Sequence, residues 1–123
     1  ISPGAPADLL GLRIEAFAMV HDERAGPCQG YRLSRDGKTF AFSGDTGWCD
    51  ALPDLTRGAD AALLECYQAG GKASAAHLDA PTLAARRGEL GARRLIVTHM
   101  SAAMLASDAA PGERAYDGMT IDV

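Results

Sequence analysis

The sequence has few cysteines, few aromatics and no excess of positive charge. Cys28, Cys49 and Cys66 are an odd set with no CxxC spacing, which argues against a disulfide framework and a cysteine-rich zinc site. Reduced thiols and a cytoplasmic location are the simplest expectation. Twelve Lys and Arg stand against 16 Asp and Glu, for a formal charge of −4, so the basic footprint of non-specific nucleic-acid binding is missing. The longest apolar stretches, such as Ala16 to Val20 and Ala61 to Leu64, are too short to span a bilayer. What is there suits a folded domain: 47% hydrophobic and 23% charged residues over 123 positions can bury a core and exclude disorder as the main state. Fourteen glycines and six prolines predict frequent turns. Residues 1–11, Pro/Gly/Ala-rich and starting at Ile1 rather than Met, are expected to be a linker or cut end, with 12–123 as the folded unit.

Period-2 alternation over Leu12 to Val20 predicts a strand that places Leu12, Ile14, Ala16, Ala18 and Val20 on one face. Gln29 to Ser34 and Lys38 to Ser43 flank Arg35-Asp36-Gly37, a hairpin signal. Trp48 to Thr56 reads as a short helix with Leu52 and Leu55 inward, ended by Gly58. Asp60 to Cys66 and Arg94 to Thr98 are compact apolar runs suited to buried strands. Between them, Gln68 to Ala76 reads as a mobile loop. A helix over Ala80 to Leu90 follows, with Asp79 as N-cap, Pro81 in its first turn and Gly91 as its stop. Ser101 to Leu105 starts a further helix, Ser107 to Arg114 is a loop, and Met119 to Val123 is a closing strand. The order is that of an α/β layered fold with helices on one face of a mixed sheet.

Three polar residues stand directly after strand patterns: His21, Asp45 and His99. Sites in α/β sheets gather beyond the C-terminal strand ends. Two imidazoles and a carboxylate are ligands suited to Zn²⁺, Mn²⁺ or Fe²⁺. Each has a plainer reading alone: a capped surface histidine, a turn-forming aspartate, a core histidine. Their shared placement, in a chain with three histidines, favours a site.

The run Phe42-Ser43-Gly44-Asp45-Thr46-Gly47, with Leu52, Leu55 and Gly58-Ala59-Asp60 after it, resembles the metallo-β-lactamase superfamily. The likeness is strongest to the branch of RNase Z-type endonucleases and related phosphodiesterases. Val20-His21, Gly30-Tyr31-Arg32-Leu33, Leu64-Glu65-Cys66, His77 and Leu95-Ile96-Val97-Thr98-His99-Met100-Ser101 extend it in the same order, as does Tyr116-Asp117-Gly118-Met119-Thr120-Ile121. The resemblance implies one half of an αββα sandwich and hydrolysis by a water activated between two divalent metals, usually zinc. It implies that His21 ligates the first metal, that Asp45 bridges both and that His99 ligates the second. His77 would assist proton transfer or touch the scissile phosphate, helped by Glu65. Beside that reading, His77 could be a solvated loop histidine and Glu65 a structural acid bonded to backbone.

Two departures bear on function. The family's HxHxDH motif, part of its N-terminal half, is absent, so at most three ligands are present and the chain alone is expected to be inactive. Tyr31 to Gly44 is one tight hairpin, without the long insertion of the tRNA-processing members. With Leu-Glu-Cys in place of His-Glu-Ala, this sets tRNA aside in favour of a cyclic or small nucleotide-like phosphodiester, or another ester. The implied partners are that substrate and the N-terminal half of the same fold. The competing readings are a non-catalytic half-domain and a fragment that covers its open sheet by homodimerising. Trp48 reads as a core plug more readily than a pocket wall, Cys66 as a small buried hydrophobe, and Arg86-Arg87 and Arg93-Arg94 as solvated positions around a helix end.

Overall fold

The computed structural model describes residues 1–71, 74–109 and 111–123. Seven strands form one mixed sheet in chain order: β1 (Ala7–Leu9), β2 (Leu12–Met19), β3 (Cys28–Arg35), β4 (Lys38–Phe42), β5 (Ala61–Glu65), β6 (Arg94–Thr98) and β7 (Glu113–Arg114). Pairing is antiparallel from β1 to β4 and parallel from β4 to β7. The β3–β4 reversal is tight because Asp36 and Gly37 both take positive φ, 50° and 76°, the twist a two-residue hairpin needs. Strands β2, β4, β5 and β6 therefore run the same way and end at one edge.

The parallel pairs require crossovers, and helices α1 (Ala51–Thr56) and α2 (Ala80–Ala85) supply them. Asp79 caps α2 by accepting from the Thr82 amide at 2.7 Å, which satisfies one of the helix's orphan donors. A third helix, α3 (Ala102–Leu105), is capped by Ser101. Leu52, Leu55, Leu83 and Met104 from the helices share one core with Met19, Ala41, Leu64 and Val97 from the sheet. Gly30 lets α1 approach β3, since a Cβ there would lie 3.2 Å from Leu55 Cδ2 and 2.9 Å from the Phe42 carbonyl oxygen.

Among the described residues the other sheet face carries no helix. Register places Leu33 opposite Ile14 and Phe40, and Phe42 beside Tyr31 and Leu63. These side chains line an apolar basin of about 620 Å³.

Several expectations are corrected. Ala7–Leu9, inside the expected linker, is strand β1. The alternation along β2 leaves its inward face open, and at the strand's end Phe17 and Met19 pack into the core while Val20 is exposed. The helix after Asp79 stops at Ala85 and continues as a 3-10 turn over Arg87–Glu89. Gly91 is not a left-handed stop but a close approach, where a Cβ would meet Arg57 Cα at 2.9 Å. The closing strand at 119–123 does not form, and β7 lies in the expected loop 107–114. Residues 72 and 73 of the expected mobile loop, and residue 110 of the later one, lie outside the described residues.

Candidate metal centre

Four strand ends bring the polar residues together. His21 follows β2, Asp45 follows β4, Glu65 ends β5 and His99 follows β6. Ligand atoms of Asp45, His77 and His99 all lie within 4.8 Å of one another. The His99 Nδ1 sits 2.6 Å from Asp45 Oδ1, and His99 holds this position with a left-handed backbone, φ 51°. A β-carbon residue in that region is uncommon and costs of order 1 kcal/mol.

His77 reaches the cluster from outside the sheet. Its ring centroid lies 4.8 Å from that of His21 and 5.4 Å from that of His99. His21 belongs to the same edge, but its donor atoms are not among the three that converge. Its Nδ1 lies 2.8 Å from the Ala76 carbonyl oxygen. A carbonyl only accepts, so His21 Nδ1 is the donor in this bond.

Glu65 organises the interior side. It is 1% exposed, accepts from the Thr46 amide at 2.5 Å, and meets His77 Nδ1 at 3.0 and 3.2 Å. Burial pushes the Glu65 carboxyl above its ordinary range and nearby Asp45 adds to the rise; the Thr46 amide and His77 oppose it. One buried carboxylate thus ties the Asp45–Thr46 turn to the His77 segment. The Thr46 hydroxyl and the Gly47 amide then fasten this turn to Val20, at 3.1 and 2.7 Å.

Gly47 controls where His77 sits. A Cβ at this position would lie 2.0 Å from the Ala75 carbonyl oxygen. Gly47→Ala is expected to push the Ala75–His77 segment outward and cost about 1–3 kcal/mol, read as a lowered denaturation midpoint. An unchanged midpoint would mean that the segment has room to yield.

Trp48 serves both readings given above. It packs against the core and also lines a cavity of about 230 Å³ with His77, Asp79 and Thr82. Its ring lies 4.0 Å from the Arg86 guanidinium. Arg86, Arg93 and Arg94 pair with Glu89, Asp60 and Glu113. Cys66 is fully buried, and burial pushes its thiol up to about 11, with the Asp79 and Glu65 charges adding. A thiol reagent at mildly alkaline pH is expected to modify the half-buried Cys28 and Cys49 before Cys66, as counted by mass spectrometry. Because folding raises this thiol's value, its stabilising effect holds below the ordinary thiol range and is lost as pH rises towards 11.

The donor set fits a catalytic-type metal position. Two histidines and a carboxylate converge, and the buried Glu65 carboxylate orients the His77 ring through Nδ1, the kind of outer partner that metal-binding histidines have. Three protein donors match one open site rather than two closed ones. Among the described residues no helix is long and apolar enough to cross a membrane. Tyr67, whose ring touches both His77 and His99, carries no sequence signal that singles it out.

Comparison with known proteins identifies the family and the fold. The family profile described as a β-lactamase superfamily domain matches residues 1–100. Ribonuclease Z of Salinispora arenicola is 44% identical over 71 residues, covering 54% of this chain and 23% of that protein. Two solved structures share the fold. A diphosphatase from the PhnP family has a TM-score of 0.74 at 22% identity, covering 96% of this chain and 46% of the other. Zn²⁺-bound PqqB from Methylobacterium extorquens has a TM-score of 0.70 at 18% identity, covering 100% and 55%. The chain thus spans a quarter of one relative and about half of the others. It belongs to the metallo-β-lactamase superfamily.

Proposed function

We propose that this chain is the C-terminal half of a metal-dependent hydrolase acting on a phosphodiester, with a cyclic or small nucleotide-like substrate. The observation that carries this is the convergence of Asp45, His77 and His99 at the edge where four strands end. In the proposed assignment His21, Asp45 and His99 would hold the divalent metal, zinc before Mn²⁺ or Fe²⁺, with the N-terminal half of the fold supplying the remaining ligands. A bound metal would lower the pKa of a water and stabilise charge on the leaving oxygen. The protein's own share is the handling of protons. His77 Nδ1 is held by buried Glu65, and its ring lies beside those of His21 and His99. The carboxylate stabilises the protonated imidazole, so His77 can give a proton to a departing oxygen.

The ligand convergence also favours a second assignment, in which His77 takes a metal position while His21 remains tied to Ala76. Zinc titration of His21→Ala and His77→Ala separates the two, since the true ligand loses more affinity. The bare sheet face supports a second sheet layer, either the N-terminal half of the same fold or another copy of the chain.

The test uses the full-length protein against bis(p-nitrophenyl) phosphate, a cyclic nucleotide and a precursor tRNA, before and after chelation. Chelator-sensitive, zinc-restored cleavage of the small diesters is expected. Preference for the RNA, which the ribonuclease Z relative brings back into consideration, would overturn the substrate class. Absence of metal-dependent hydrolysis would overturn the reading.

A further inference from the structure

Tyr67 touches the imidazoles of both His77 and His99. Its ring stacks on His77, with centroids 4.9 Å apart and planes at 29°. It meets His99 edge-on at 5.3 Å and 69°. Its backbone does the same work. The Tyr67 amide donates to the Leu78 carbonyl at 3.0 Å, one residue beyond His77. The Tyr67 carbonyl accepts from the Ser101 amide at 3.0 Å, two residues beyond His99. These contacts bind two segments that the sheet leaves independent. His77 stands outside any strand, and His99 stands after β6 on a left-handed backbone.

We propose that Tyr67 is a positioning residue, its aromatic face setting the spacing and tilt of His77 and His99. The physical basis is directional. Stacked and edge-to-face pairs fix orientation as well as distance, and an imidazole turned about χ2 no longer presents its nitrogen where a reaction needs it. An aliphatic side chain of similar size would fill the space without selecting a ring angle. At 37% exposure, Tyr67 also borders the open side of the cluster, so a change there need not disturb the core. This role rests on the hydrolase reading only for its effect on turnover; the orientation of the rings is a property of the chain itself.

The experiment compares Tyr67→Phe, Tyr67→Leu and Tyr67→Ala in the full-length protein. Side-chain nitrogen NMR of the metal-free protein follows all three histidines, with His21 as the reference because its Nδ1 is tied to the Ala76 carbonyl. The Leu and Ala variants are expected to shift or broaden His77 and His99 more than His21, which meets His77 edge-on, and Phe is expected to restore the wild-type pattern. Turnover of bis(p-nitrophenyl) phosphate is expected to fall roughly tenfold to a hundredfold in kcat with little change in KM for Leu and Ala, and to stay near wild type for Phe. Should Ala fail to fold, Leu carries the same comparison. Unmoved His77 and His99 signals in Leu would overturn the proposal. So would a Phe variant as impaired as Leu, which would assign the effect to the hydroxyl, or a His21 signal that moves equally. The hydrolase reading fails separately, through a wild-type protein that turns over nothing while the NMR pattern holds.

Discussion

Asp45→Asn is expected to reduce phosphodiester hydrolysis by the full-length protein by about a thousandfold, equivalent to ~4 kcal/mol of barrier. The change keeps shape and removes charge. Asp45 sits 2.6 Å from His99 Nδ1, within the group of three converging donors. A carboxylate has an anionic oxygen to offer in each of two directions, whereas the Asn amide has one neutral oxygen and an NH2 group that only donates. The variant therefore weakens the hold on a metal and sets a donor where an acceptor is needed. Folding should be little affected, because the Asp45 side chain is 40% exposed and the turn is held by Thr46 and Gly47. Metal content by elemental analysis and kcat/KM should fall together, with the denaturation midpoint unchanged. Retention of near-wild-type turnover in Asp45→Asn would remove Asp45 from the proposed chemistry. A parallel loss in His99→Ala is expected.

What the chain reveals in its sequence, and what it hides, follows the range of the forces involved. Buried parallel strands carry dense apolar runs, so Arg94–Thr98 was readable to the residue. The turn at Asp36-Gly37 depends on two positive φ values that few residue pairs accept. The placement of His21, Asp45 and His99 after strand ends is legible because each strand fixes where its end lies. His77 is different. Its position comes from non-local contacts: Gly47 beneath Ala75, Glu65 on its ring and His21 against Ala76. No periodicity encodes these. The tail misled for a related reason. The alternation over Met119 to Val123 resembles a strand, yet β6 gains its neighbour earlier, at Glu113–Arg114, and Arg94 bonds the Asp122 carbonyl through its side chain instead. Along β2, alternation announced the strand but not its inward face, since both faces carry apolar residues and only the packed helices decide.

Phe42→Asp is expected to act oppositely in two settings, and the contrast tests whether a second layer covers the bare sheet face. Phe42 is 36% exposed and lies on the helix-free side of β4, beside Tyr31 and Leu63. In the 123-residue chain alone the carboxylate meets water. Its cost is confined to lost contacts with those neighbours, about 1 kcal/mol, and the charge breaks up an apolar patch that invites association. Higher solubility and a smaller sedimenting species are expected. In a full-length protein whose other half covers this face, the same carboxylate loses its water. Forfeiting a buried phenyl ring costs roughly 1.5–3 kcal/mol, and desolvating an unpaired charge adds several more, a sum that rivals the whole stability of a domain. Full-length Phe42→Asp should therefore be recovered unfolded or insoluble. Equal behaviour in the two settings would mean that the face stays open, and the two-layer arrangement would fall with it.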